Sequence, residues 1–398
     1  MILGVGEPRP SRATPKLVSC PEMQHIVVQL IGLFVSCLAI SFVATGIVKR
    51  SSEHIGFVDV PDERKRHRDA TPRLGGLAII FGFGFPLLLL AANESAAVLV
   101  TRNVAYLFAV LAAGSLVIGL GVYDDLIGAN APKKFVVQFA AAIILVFFGF
   151  RFDSISLAGQ LFELGFLGSI ASIFWIVGVM NAVNFIDGMD SLATVVSVTI
   201  AAAFSVIAYL RADAFSLVIM IALTGSLAGF YPWNKPPAKI FMGDTGSLFI
   251  GLLLAACSIA RPSKSPTALL IVGPMLALSL PVLDTLIVMK QRFGGTSVPF
   301  AQRLTRVFTA DRRHIHHILV ARYGTDAKAI FWIWMVTLLF GFAAVLTVVQ
   351  SLKWIGYGMG AGALLLMILL RYGGGRSSPQ ALDPRTLDDP ALPTARKL

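Results

Sequence analysis

The sequence predicts an all-α polytopic membrane protein, and three observations predict it. Hydrophobic residues make up 56% of the 398-residue chain and charged residues only 14%, with a mean hydropathy of +0.78, a balance that belongs to membrane-spanning chains. Runs of about 18 or more mostly apolar residues, long enough for a helix to cross roughly 30 Å of hydrocarbon, recur along almost the whole length. The unusual polar residues gather at the ends of those runs, and mostly on one predicted side.

Residues 1–25 contain Pro, Arg and Ser, lack the apolar core of a secretory signal and read as a disordered extension, within which Met23 offers an alternative start. About eleven spans follow by hydropathy, roughly 26–47, 75–92, 103–122, 135–150, 166–184, 190–210, 214–231, 246–260, 267–288, 328–350 and 354–371. Together they form one integral membrane domain, residues 26–371. The remainder, 372–398, is rich in Pro, Asp and Arg and reads as a disordered tail. Among the outward loops, Phe152–Phe162 is expected as an extended segment at the surface.

An odd number of spans puts the termini on opposite sides. Lys and Arg concentrate in the loops after spans 1, 3, 5, 7 and 9 and in the tail, which makes that side cytoplasmic and leaves the N-terminus outside. The formal charge of +11 is thereby largely a matter of topology, and nucleic-acid binding need not be invoked. Cys37 and Cys257 fall in apolar runs and Cys20 in the polar leader, so the three cysteines form no disulfide framework.

Five polar clusters lie on the predicted cytoplasmic side. The first is the basic run Arg64-Lys65-Arg66-His67-Arg68, followed by Thr71-Pro72-Arg73-Leu74-Gly75-Gly76. The run suits anionic headgroups or phosphate, while Pro stiffens the chain and paired Gly lets backbones approach closely. The second, Asp124-Asp125 at the end of span 3, is followed by Lys133, Lys134 and Gln138. Carboxylates and amines at a membrane edge are either solvated interface residues or a site for Mg²⁺ and phosphate.

In the third, Asn181, Asn184 and Asp187 are three apart and fall within an arc of about 120° on a helix. Gly188 follows, and Asp190 or Ser191 stands where a helix cap belongs. The fourth runs from Asn234 through Gly243-Asp244-Thr245-Gly246-Ser247, expected as a turn ahead of span 8 whose N–H groups, hydroxyls and carboxylate suit phosphate with its metal, or an ordinary N-cap. The fifth holds Arg303, Arg306 and Asp311-Arg312-Arg313-His314-Ile315-His316-His317. Zinc is its rival reading, but histidines interleaved with arginines suit phosphate better.

Five clusters in this order resemble the polyprenyl-phosphate N-acetylhexosamine-1-phosphate transferase family, which includes phospho-MurNAc-pentapeptide translocase and the enzymes that initiate common antigen, O-antigen and teichoic-acid linkage units. The resemblance runs from about Asp59 to His317. It implies transfer of a sugar 1-phosphate from a UDP-sugar to a polyprenyl phosphate such as undecaprenyl phosphate, releasing UMP, with Mg²⁺ or Mn²⁺ as cofactor, at the inner membrane of a bacterium.

Carried over by position, Asp124 and Asp125 match the paired aspartates near metal and lipid phosphate, and Lys134 matches a phosphate contact, with Lys133 leaving the register open. Asn184, Asp187 and Asp190 match the nucleotide and active-site stretch, Asp244 the principal metal ligand, and His314, His316 and His317 the His-x-His-His motif. His67, Arg73, Asn181, Asn234, Arg303, Arg306 and Arg312 join them as candidate substrate contacts. Ser191 departs from the family, where Gly is usual.

The expected partners are a UDP-N-acetylhexosamine, UDP-GlcNAc by default, polyprenyl phosphate and membrane lipid, with a homodimer left open. A modified sugar such as UDP-FucNAc and the muramoyl-pentapeptide substrate are the alternatives within the family. Outside it the rival is an ion-coupled transporter, whose acids would lie near the midplane with broken helices rather than at span ends.

Overall fold

In the computed structural model, residues 20–59, 71–92, 104–157, 160–259, 272–293 and 313–373 are described. Among the described residues, eight helices are long and apolar enough to cross a membrane. They are α1 (Cys20–Ile55), α2 (Gly75–Ala92), α3 (Val104–Ile127), α5 (Gly165–Ile186), α6 (Leu192–Leu210), α7 (Ala214–Asn234), α12 (Asp326–Val348) and α13 (Lys353–Tyr372). The shorter helices are α4 (Ala131–Phe147), α8 (Gly243–Ser258), α9 (Val272–Ala277), α10 (Ser279–Phe293) and α11 (Ile315–Tyr323). Hydropathy expects about eleven spans; among the described residues eight helices meet that length, α8 is a shorter apolar helix, and the all-α polytopic fold stands.

The differences have local causes. The span expected at 267–288 is two helices, α9 and α10, meeting at Leu278. Pro281 has no N–H for the carbonyl of Ala277, four residues back, so the ladder is interrupted there. Helix α1 begins at Cys20, inside the leader expected to be disordered, and runs on to Ile55 rather than stopping near 47. The segment expected to be extended on the outward side is a hairpin of β3 (Ser154–Leu157) and β4 (Gln160–Glu163), antiparallel with Ser154 opposite Glu163. A second short pair, β1 (Val58–Asp59) and β2 (Thr71–Pro72), closes the loop after α1.

Helix α8 is the centre of the bundle. It packs against α2, α3 and α5 and also touches α6 and α7, and every residue from Thr245 to Ala256 is buried. At 16 residues it is about 24 Å long, and its neighbours rather than lipid cover its sides. Small residues let these neighbours approach. A Cβ on Gly121 of α3 would stand 2.3 Å from Thr245 Cα, and one on Gly76 of α2 would stand 2.2 Å from the Gly246 nitrogen. Both contacts are at the first turn of α8, so the glycines pull the ends of α2 and α3 onto the helix that carries Asp244.

Candidate active site

The site is built where α2, α3, α4, α5 and α8 end together. The Thr71–Gly76 stretch pairs with the strand-like approach to α8: Phe241 N–H donates to Pro72 O at 2.8 Å, Gly75 N–H to Phe241 O at 2.9 Å and Gly76 N–H to Met242 O at 2.8 Å. Gly243 follows at φ +71°, a left-handed turn whose missing side chain leaves room for Arg73 O and the Asp125 carboxylate. The Gly-Asp-Thr-Gly-Ser segment is thus the first turn of α8 rather than a turn ahead of it.

The two adjacent aspartates of α3 have separate jobs, because successive side chains on a helix point about 100° apart. Asp125 caps α8: its carboxylate accepts from Asp244 N–H at 2.8 Å, Thr245 N–H at 3.0 Å and Thr245 Oγ1 at 2.6 Å. Asp124 accepts from Ala129 N–H at 2.6 Å and from Lys134 Nζ at 2.7 Å. Lys134 also donates to Asp244 Oδ2 at 2.5 Å, so one ammonium is clasped between carboxylates from α3 and α8. Lys133 lies exposed over the Tyr123 ring at 5.7 Å, which assigns the inward register to Lys134.

Helix α5 supplies the amides. Asn184 Nδ2 donates to Asp244 Oδ1 at 3.0 Å and to Ser247 Oγ at 2.9 Å. One turn back, Asn181 pairs its amide with Gln138 of α4, donating at 2.7 Å, and bonds the α5 backbone at Val177. Asn181 and Asn184 therefore do share a face, but only Asn184 reaches the acids. Asp187 follows as the residue after the helix. Burial first, then the negative charges of Asp244, Asp125 and Asp190, push its carboxyl well above the usual carboxylate range.

Asp190 accepts from Ala238 N–H at 2.9 Å and so holds the loop between α7 and α8. Ser191 occupies the N-cap position of α6 but makes no side-chain cap bond, and its φ of +61° is left-handed. That conformation explains why Gly is the easier residue there. Asn234, expected as a substrate contact, is 3% exposed and fully engaged, accepting from Thr194 Oγ1 at 2.7 Å and donating to Ile240 O at 3.1 Å. Its work is to fasten the loop.

The histidine motif reaches the same end of the bundle at the start of α11. A Cβ on Gly188 would stand 2.9 Å from His316 Nε2, which sets the motif against the Asp187 loop. The rings lie along one another, His314 and His316 with centroids 5.9 Å apart and His316 and His317 4.2 Å apart. Behind them is a residue the sequence reading missed: Asp284 of α10, fully buried, bonded to His314 Nδ1 at 2.8 Å, Ile315 N–H at 3.0 Å and Arg371 of α13 at 2.5 Å. The available signal was an acid inside an apolar run. His67, Arg303, Arg306 and Arg312 lie outside the described residues.

Among the described residues no group of three or more His, Cys, Asp or Glu is gathered into a metal cage. What exists is a pair of carboxylates, Asp124 and Asp244, already facing one cation, with Asp187 nearby paying an electrostatic penalty that a further cation would relieve. Mg²⁺ is usually held by one or two carboxylates plus substrate phosphates, so the donor set fits Mg²⁺ or Mn²⁺ in company with an anion.

Fold and site together define a class: a polytopic membrane protein with acids, amides, a lysine and histidines assembled at one end of its bundle. Residues 107–261 match the family described as Glycosyl transferase family 4. The chain is 32% identical over 321 residues, 80% of its length and 85% of the relative's, to a probable undecaprenyl-phosphate N-acetylglucosaminyl 1-phosphate transferase of Bacillus subtilis. It is 30% identical over 352 residues, 79% of this chain and 81% of the relative, to a decaprenyl-phosphate N-acetylglucosaminephosphotransferase of Mycobacterium tuberculosis. With a phospho-N-acetylmuramoyl-pentapeptide-transferase of Streptococcus pneumoniae it shares 32% identity over 223 residues, 53% of this chain and 66% of that one. The chain belongs to glycosyl transferase family 4.

Proposed function

We propose that the protein transfers N-acetylhexosamine 1-phosphate, GlcNAc 1-phosphate foremost, from a UDP-sugar to undecaprenyl phosphate, giving undecaprenyl-diphospho-sugar and UMP. The observation that carries this reading is the Lys134 clasp. Carboxylates from α3 and α8 face one cation, at the end of the bundle where the helices Asp124 and Asn184 sit on run out. Such a site suits two anions, one delivered from the membrane and one from water. The names of the similar proteins from Bacillus and Mycobacterium, which specify a polyprenyl phosphate and N-acetylglucosamine, support the choice of substrates.

An oxygen of the lipid phosphate attacks the β-phosphorus of the UDP-sugar, the bond from that phosphorus to the bridging oxygen breaks, and UMP leaves with the electron pair. Asp124 orients the lipid phosphate or accepts its proton. Lys134 gives its charge to a phosphate oxygen, and Asn184 fixes the orientation of Asp244. The histidines approach the pyrophosphate from the α11 side. Mg²⁺ or Mn²⁺ held by Asp244 and Asp124 would neutralise the repelling charges and polarise the phosphoryl oxygens.

The excess of Lys and Arg in the loops at this end supports a cytoplasmic site, with the C-terminus inside and the N-terminus outside, in the bacterial inner membrane. UMP release from UDP-GlcNAc, measured with undecaprenyl phosphate and Mg²⁺, tests the reading. No release with UDP-GlcNAc, UDP-FucNAc or the muramoyl-pentapeptide nucleotide refutes it. A labelled sugar-phosphate adduct on the protein, trapped without lipid acceptor, refutes direct displacement alone.

A further inference from the structure

Asp284 of α10 is a fully buried acid tied to two other helices, the start of α11 and the end of α13. Its Oδ1 accepts from Ile315 N–H in the first turn of α11 at 3.0 Å and from Arg371 Nη1 of α13 at 2.5 Å, while Oδ2 meets His314 Nδ1 at 2.8 Å. The other arm of the Arg371 guanidinium donates to the Arg313 carbonyl at 2.9 Å, immediately before the motif. A charge this deep is costly unless paired and hydrogen-bonded, and here every bond but the one from Arg371 goes to the histidine segment.

The pairing fixes a proton. A carboxylate salt-bridged to arginine only accepts hydrogen bonds, so the hydrogen between Asp284 and His314 sits on Nδ1, and Nε2 is the nitrogen left for a substrate. The ring so held lies within 9° of parallel to His316, which abuts Gly188 beside Asp187. The groups facing His314 are Asp284 from α10, Arg371 from α13, His316 from α11 and the ring of Phe185 from α5, centroids 5.6 Å apart.

We infer that Asp284 is the positioning residue of the histidine motif: by holding His314 through Nδ1, with Arg371 bracing it from the last helix, it sets the tautomer and ring plane that the transfer reaction uses. The role in transfer rests on the function proposed above; the tautomer does not. The rival account is a buried ion pair that only staples α13 to α10.

The test uses the full chain in detergent, with kcat and KM for UDP-GlcNAc and undecaprenyl phosphate, and ¹⁵N-histidine NMR in which the His314 signal is identified by its loss in His314→Gln. Asp284→Asn is expected to lower kcat roughly 10–100-fold, the range for groups that orient a working imidazole, with KM little changed. Asp284→Asn combined with His314→Gln is expected to be no slower than His314→Gln alone, because the carboxylate acts through that ring. Since Asp284→Asn leaves Arg371 buried without its counter-charge, the neutral pair Asp284→Asn/Arg371→Gln serves as the folded control, and it should remain slow. In the spectra His314 should carry its proton on Nδ1 in the wild type and lose that signature in both Asp284 variants.

Multiplicative losses in the combined variant, a neutral pair with wild-type kcat, or a His314 signal that ignores Asp284 would each overturn the inference. A wild-type protein that transfers nothing yet shows the Asp284-dependent tautomer refutes the proposed function and leaves the positioning of His314 standing.

Discussion

Replacing Asp125 should unfold the protein before it alters the chemistry, whereas replacing its neighbour Asp124 should do the reverse. Asp125→Ala removes three hydrogen bonds to a carboxylate at the N-terminus of the central helix α8. A lost cap alone costs up to ~2 kcal/mol, and each hydrogen bond to a charged group contributes about 1.5–3 kcal/mol. Water replaces part of these at a half-buried residue, which leaves about 3 kcal/mol, a fall in melting temperature on the order of 5 °C or more. Asp124→Asn keeps its acceptor for Ala129 N–H, and Lys134 keeps its contact with Asp244. The loss there is a partly exposed ion pair, about 1 kcal/mol or less. Thermal melts in detergent by tryptophan fluorescence, run beside the UMP-release assay, measure both quantities. Asp124→Asn should melt near the wild type and lose transfer by about 10²-fold or more. Equal destabilisation by the two substitutions, or an unshifted melt for Asp125→Ala, would refute the division of labour.

Asp244→Asn is expected to abolish transfer while the melt stays close to wild type; appreciable UMP release at saturating Mg²⁺ removes Asp244 from the metal site. Ser191→Gly should stabilise the protein by ~0.5–1 kcal/mol, since the left-handed φ of +61° costs a side-chain-bearing residue about 1–2 kcal/mol and glycine returns part of that as chain entropy; a lowered melting temperature contradicts this. Asp187 carries a pH signature. Its folded-state pKa is raised by burial and by Asp244, Asp125 and Asp190, so its contribution is present below the ordinary carboxylate pKa and is lost as pH rises through the raised value. In EDTA, Asp187→Asn should therefore gain stability over wild type as pH rises, and added Mg²⁺ should narrow the gap; parallel pH curves refute it.

Much of the fold was legible because hydropathy records what lipid demands of each helix, and α2 spans the stretch 75–92 that hydropathy predicts. The break at Leu278 was also written in the chain, as Pro281, but a proline inside an apolar run does not say whether the helix bends or stops. At the site the polar clusters were legible as residues that lipid would penalise. Their separate roles were not. Asp124 differs from Asp125, and Lys134 from Lys133, only by rotation about a helix axis, and the rotation is set by the Gly121 contact on Thr245 and the packing of α4 on α3. Asn234 had the right chemistry for a substrate and is used instead on Thr194 and Ile240. Arg371 looked like the end of the last span, and only the fold shows its guanidinium turned inward onto Asp284.

The pairing of Asp124 with Asp125 has a consequence for the cation site. Asp244 stands in the first turn of α8, where the helix end carries the equivalent of about half a positive charge. That field suits an anion and opposes a cation, so an acid placed there alone would have its charge partly consumed by its own helix. Asp125 sits on that helix end and takes the N–H groups of Asp244 and Thr245. The terminus is thereby neutralised from α3, and the charge of Asp244 is left to act outward on Lys134, with Asp124 turned to the same ammonium. Had α3 ended in a single aspartate, it would have served either the helix or the cation. Two in succession serve both, because one step along the helix is enough to separate a carboxylate that faces the backbone of α8 from one that faces the site.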